Sequence, residues 1–158
     1  MDCALKLEGE KLLNHRIGNV MWRSPEGQPG KGVGKPSEVF SFSLLCLYVI
    51  TSAQCFHPDF ETLDIEPEPV NLCKFLSAFG PLPDALVKHV NEKEAGALLN
   101  GLWQTIAEDE SNEYFEQWPE EKFPNLVSEA KRLILRVTNL DPAKRASMSD
   151  IILDPYWN

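Results

Sequence analysis

Ser37-Glu38-Val39-Phe40-Ser41-Phe42-Ser43-Leu44-Leu45-Cys46-Leu47-Tyr48-Val49-Ile50 is the stretch on which the fold turns. From Val39 onward nearly every residue is apolar, and the apolar positions fall on all sides of a 3.6-residue helix instead of in one stripe. Such a helix has to be covered all round, so the pattern predicts a buried central helix over about residues 37–52. Ser37 is a suitable N-cap, because its hydroxyl can accept from an amide of the first turn, and Glu38 then sits at the positive end of the helix dipole. The run is too short to cross a bilayer and is interrupted by Ser41 and Ser43, so no membrane partner is expected.

Upstream, residues 27–36 hold four glycines and two prolines, which excludes an interior helix or strand and predicts a flexible connecting loop. Before it stands Met21-Trp22-Arg23-Ser24-Pro25-Glu26, approached through Gly18 and Asn19 as a loop, and residues 1–17 read as an irregular N-terminal segment. Downstream, residues 54–69 read as an irregular acidic connection. Val70 to Phe79 is predicted as a short amphipathic helix through Leu72, Phe75, Leu76 and Phe79, stopped by Gly80-Pro81-Leu82-Pro83. A second helix starts at Asp84 with Leu86, Val87 and Val90 on one face, and a third spans about 95–107 through Leu98, Leu99, Leu102 and Ile106.

Residues 108–121 contain seven acids and no base, the pattern of a solvated face, with a docking surface for a basic partner as the other reading. Leu126, Ala130, Leu133, Ile134 and Val137 keep a helical period behind Asn125 as cap, and that helix should end before Asp141-Pro142-Ala143-Lys144-Arg145. Ser147 and Asp150 are spaced as a capping box opening a last helix through Ile151, Ile152 and Leu153. No repeat and no alternating strand is found, so the fold class is mainly α.

A chain of 158 residues is long enough for one domain with its own core. Its 24 acidic and 15 basic residues give a formal charge of -9, which opposes nucleic acid and anionic membranes as partners. The four cysteines, Cys3, Cys46, Cys55 and Cys73, could form bridges in a secreted protein. Residues 1–14 lack the apolar core of an export signal, so a reduced, intracellular location, cytoplasmic or nuclear, is expected.

In order, Trp22-Arg23-Ser24-Pro25-Glu26, the helix opening at Ser37-Glu38-Val39-Phe40-Ser41-Phe42 and the closing Asp141-Pro142-Ala143-Lys144-Arg145 resemble the large lobe of protein kinases. The resemblance runs from the end of the activation segment to the last helix and covers about residues 18–157. Arg-Ser-Pro-Glu, and Phe79-Gly80-Pro81-Leu82-Pro83 before a helix, are closest in wording to cyclin-dependent, MAP and SR-protein kinases, whose characteristic insertion the acidic stretch before Asn125 would suit. The resemblance implies a kinase-like large lobe over 18–158 without the small lobe. It also implies an ion pair between Glu26 and Arg145 that holds a loop to the body. Kinases usually place aspartate where Glu38 stands and glycine where Ser43 stands, so both positions depart from the pattern.

Phosphotransfer needs a glycine-rich strand turn, a strand lysine, a catalytic-loop aspartate and an Asp-Phe-Gly aspartate for magnesium, and none is found. Gly30-Lys31-Gly32-Val33-Gly34-Lys35 is one residue short of a phosphate loop and has Pro36 where Ser or Thr should stand. His15-Arg16-Ile17 mimics the opening of a catalytic loop but has isoleucine in place of the base. Cys55 and His57 lack a second cluster for zinc. No catalytic, cofactor or metal residue is therefore assigned, and ATP and magnesium are expected only for a complete family member.

Two functions remain. The first is a truncated kinase-like remnant that acts by binding a protein, at the loop containing Gly18, Trp22, Arg23, Ser24 and Pro25 or at the helix from Asp84. The second is a fragment of an active serine/threonine kinase whose other parts lie outside this chain. A third expectation is that the piece does not fold stably alone, because loss of the small lobe would expose apolar surface.

Overall fold

The computed structural model describes residue 9, residues 11–57 and residues 65–157. Cys3 and most of the acidic connection after His57 lie outside the described residues. Among the described residues there are six α-helices: α1 (Lys35–Thr51), α2 (Pro67–Phe79), α3 (Asp84–Val90), α4 (Lys93–Ala107), α5 (Ser128–Val137) and α6 (Met148–Ile152). Among the described residues the only β pairing is an isolated antiparallel bridge between Leu13 and Val33. The chain is mainly α, and no described helix is long and apolar enough to cross a membrane.

The central helix starts two residues earlier than its composition suggests. Gly34 is the N-cap, and Pro36 fits the first turn, where its missing N–H leaves no bond unmade. Ser37 is therefore the third helical residue and not the cap. Its hydroxyl still serves the helix start by accepting the Gly34 N–H at 3.1 Å. Similarly, α2 begins at Pro67, inside the stretch expected to be irregular, again with proline in the first turn.

One further boundary differs. Asn125 does not cap α5, which begins at Ser128 after Val127. Leu126 instead lies in the preceding turn as a fully buried plug. The Ser147–Asp150 capping box forms as its spacing predicts: the Asp150 N–H reaches Ser147 Oγ at 3.2 Å, and the Ser147 N–H reaches Asp150 Oδ2 at 2.8 Å.

α1 packs against α5, α2 against α4, and α3 against α4. The core joins Phe40, Leu44 and Leu47 of α1 to Leu72, Phe75 and Leu76 of α2, with Leu86, Leu99 and Ile134 from the other helices. Each such side chain contributes about 1.5–3 kcal/mol when fully buried. The acidic stretch takes part through Phe115, which is fully buried beside Phe79 and Trp118, so it is anchored by its aromatic residues and solvated through its acids.

The expectation that α1 is covered on every face is not met. Leu45, Tyr48 and Val49 are 47%, 40% and 68% exposed, because α2, α5 and the 20–22 turn, which pack on α1, leave one face open.

The C-terminal end is fastened by charge. Arg132 and Arg136, one helical turn apart on α5, both reach the buried Asp154; Arg132 donates to its two oxygens at 3.0 and 2.5 Å. Hydrogen bonds from Arg132 and then from the Tyr156 N–H push the Asp154 pKa from the ordinary 3.8 down to about 2. A carboxylate whose pKa is depressed by folding contributes stability that is present above its unfolded value and disappears as pH falls through its folded one. Asp154→Asn is therefore expected to flatten the fall of Tm between pH 4 and 2, as read by thermal unfolding across that range; an unchanged acid limb would disprove the coupling.

Candidate functional site

Three segments distant in sequence meet at Arg145. The Asp141-Pro142 turn presents it: Asp141 Oδ1 accepts the Ala143 N–H at 3.0 Å, and the Asp141 carbonyl accepts the Arg145 N–H at 3.1 Å. The guanidinium then takes Glu26, 119 positions away, through two parallel bonds of 2.7 and 3.2 Å. It also donates to the Pro36 carbonyl at 2.7 Å and the Asn139 carbonyl at 3.0 Å. Its flat face lies 5.0 Å from the Phe40 ring centroid.

Neither side chain of the pair is exposed to solvent. The Ser37 hydroxyl adds a bond to Glu26 Oε1 at 2.8 Å. Burial alone would push the Glu26 carboxyl up; the charge and hydrogen bonds of Arg145, joined by Ser37, outweigh it and hold the pKa below the ordinary value. The pair ties the 18–28 turn, the start of α1 and the 139–145 turn into one unit. It is a structural clamp, in which the Ser37 hydroxyl is spent on Glu26 and on the Gly34 N–H.

The loop before Glu26 is held from inside. Arg23 closes it by donating to the Gly18 carbonyl at 2.8 and 3.0 Å and to Glu68 of α2 at 3.2 Å. Gly18 is exposed with φ of 76°, a left-handed conformation that suits glycine. Trp22 is half-buried and meets Tyr48 edge to face at 6.5 Å. Ser24 and Pro25 are buried, and Ser24 Oγ accepts the Gly27 N–H at 3.1 Å. Only the Gly18–Asn19 edge is fully exposed, so little of this loop is available to a partner.

Glu38 is exposed at the first turn of α1 and stands outside the clamp. Ser43 is fully buried and returns its hydroxyl to the Phe40 carbonyl at 2.6 Å. On α3, Asp84 and Lys88 are exposed, while His89 turns inward and lies 2.7 Å from the Gly32 carbonyl.

That contact corrects the reading of residues 27–36 as a flexible connector. Val33 pairs with Leu13 in both directions at 2.8 Å, the Gly32 N–H reaches Asn14 Oδ1 at 3.0 Å, and the Lys31 N–H reaches the Glu26 carbonyl at 3.0 Å. Gly32 has φ of 69°, and a Cβ there would stand 2.7 Å from His89 Nε2. Gly32→Ala is expected to cost about 1–2 kcal/mol from the left-handed backbone alone. Gly101→Ala, in open space on α4, is expected to stabilise by about 0.5–1 kcal/mol. Opposite shifts of Tm for the two variants check this; equal shifts would refute the packed loop.

Several contacts gave no sequence signal. Gln28 and Asn71 are fully buried, and both donate to the Val20 carbonyl, at 2.9 and 3.0 Å. Glu68 serves both Arg16 and Arg23. The i, i+4 spacing of Arg132 and Arg136 puts both on one helix face, a signal of a shared acid that the sequence reading did not use. Cys46, Cys55 and Cys73 are half-buried free thiols, and burial pushes Cys46 and Cys73 up. Among the described residues no group of His, Cys, Asp and Glu is arranged to hold a metal ion.

No protein-family model matches the chain, and no curated protein matches it.

Proposed function

We propose that this chain is a truncated protein-kinase-like large lobe that performs no phosphotransfer by itself and acts by binding another protein. The observation that carries this reading is the buried bidentate pair of Glu26 and Arg145, which links a Pro-Glu turn to an Asp-Pro-x-x-Arg turn across 119 residues. That is the contact the resemblance to the kinase large lobe calls for. Partner contact falls on the Gly18–Asn19 edge and on the exposed Asp84–Lys88 side of α3.

A second reading is favoured by the exposed Leu45, Tyr48 and Val49 of α1. An apolar strip on a central helix suits a chain whose covering parts belong to a longer product, here an active serine/threonine kinase.

The test is thermal unfolding of the 158-residue chain with and without Mg-ATP, together with a phosphotransfer assay on a generic protein substrate. A cooperative transition that nucleotide leaves in place, with no transfer, is the expected result. A marked upward shift with nucleotide overturns the absence of an ATP site, and no cooperative transition overturns an autonomous lobe. Sequencing the 5′ end of the transcript separates the two readings: an in-frame glycine-rich loop, strand lysine, catalytic aspartate and Asp-Phe-Gly upstream favour the enzyme.

A further inference from the structure

A groove of about 500 Å³ lies between the turn at residues 53–55 and the segment at 113–123. Ala53, Cys55, Trp118, Pro119 and Phe123 supply its apolar lining, with Gln54, Glu113 and Lys122 as the polar members. Its aromatic side is built in advance. The Trp118 and Phe123 rings stand 5.5 Å apart and tilted by 31°, and Trp118 rests on Phe56 and Phe115. The segment is pinned from behind, where the Lys131 ammonium donates to the Trp118 carbonyl at 2.7 Å.

Two independent features describe what fits there. First, an ammonium already uses this aromatic surface: Lys122 Nζ sits 5.5 Å from the Phe123 ring centroid. That ring face therefore suits a cation, and an incoming one has to displace the ammonium of the exposed Lys122. Second, acids predominate around it: across residues 113–123 Glu113, Glu116, Glu120 and Glu121 are exposed against Lys122 as the one base.

We propose that this groove binds a basic peptide segment of another protein, with an arginine or lysine laid on the Trp118–Phe123 surface and flanking cations paired to Glu113, Glu120 and Glu121. An acidic peptide would be repelled, and a neutral apolar one would leave the carboxylates unpaired as water is excluded. A second copy of this chain would bring another -9 charge to an already acidic rim. The site is separate from the 18–25 loop and from α3, and it does not rest on the kinase-like reading.

The test titrates the full chain into a labelled octapeptide of alternating arginine and glycine, with alternating glutamate and glycine as the comparison. The arginine peptide is expected to bind saturably, and more weakly as salt rises. The exposed-residue variant E113Q/E120Q/E121Q should weaken it about tenfold, the sum of three modest surface pairs. E38Q/E66Q/E94Q removes the same charge elsewhere and should leave affinity unchanged, while Lys122→Ala, which clears the ring, should tighten it. Circular dichroism checks that the variants remain folded.

The proposal is overturned by an absence of saturable binding or by binding of the glutamate peptide. It is equally overturned by equal weakening in both triple variants, which would mean attraction by net charge alone. Self-association that disappears in E113Q/E120Q/E121Q would also overturn it, because the occupant would then be a second copy.

Discussion

Arg145→Ala is expected to destabilise the fold by about 3–5 kcal/mol, because it leaves the Glu26 carboxylate buried with its main partner gone. The same change strips the Pro36 and Asn139 carbonyls of their donor. Total stability for a domain of this kind is about 5–15 kcal/mol, so the loss is a large share of it. Urea unfolding should show the midpoint falling with little change in slope. Arg145→Lys tests the geometry and not just the charge: a lysine ammonium cannot reproduce the two parallel bonds, so that variant should fall between wild type and Arg145→Ala.

Acid provides a second handle on the same pair. Because folding depresses the Glu26 pKa, its stabilisation is complete above the ordinary carboxylate value and fades as pH drops through the folded one. Arg145→Ala should therefore lose part of the acid sensitivity of wild type as well as stability at neutral pH. A variant within 1 kcal/mol of wild type would show that the pair does not bear on the fold.

Phe40→Ala is expected to have an effect of similar size, about 3–5 kcal/mol, from lost burial and the cavity left behind. Phe40 is fully buried, meeting Phe75 edge to face at 5.1 Å and Phe79 at 6.1 Å, with the Arg145 guanidinium against its ring. Val49→Ala on the same helix is the control. At 68% exposed, Val49 should change stability by no more than about 0.5 kcal/mol. Because Phe40 touches Arg145, the two alanine substitutions should not add, and a double-mutant cycle is expected to show coupling of about 0.5–2 kcal/mol. Simple additivity would mean that the core and the clamp are independent.

How much of this the chain announces differs from residue to residue. The apolar run over 39–50 points to α1 because burial is dictated locally by composition, yet it overstates the burial of Leu45, Tyr48 and Val49, since which face is covered depends on where other helices pack. Ser147 and Asp150 form their box as spacing predicts, because both partners lie within one turn.

Ser37 is harder to read. Glycine at position 34 and proline at 36 start the helix early, and the serine is used both by the Gly34 amide and by Glu26. The order of the glycine-rich loop is invisible in its own residues, because Asn14 and His89, which fix Gly32, come from elsewhere in the chain. Glu26 and Arg145 were paired through the resemblance, and nothing in local pattern or propensity would have joined them.

The distance in sequence between Glu26 and Arg145 has a kinetic consequence. Closing a loop of 119 residues costs on the order of 4 kcal/mol of chain entropy before the pair returns anything. The helix pairs α3–α4 and α2–α4 involve much shorter loops and can assemble first. The clamp is therefore expected to form late in folding, so that Arg145→Ala speeds unfolding and leaves the refolding rate nearly unchanged, as stopped-flow kinetics would read. On that order of events the ion pair governs the lifetime of the folded state more than the ease of reaching it.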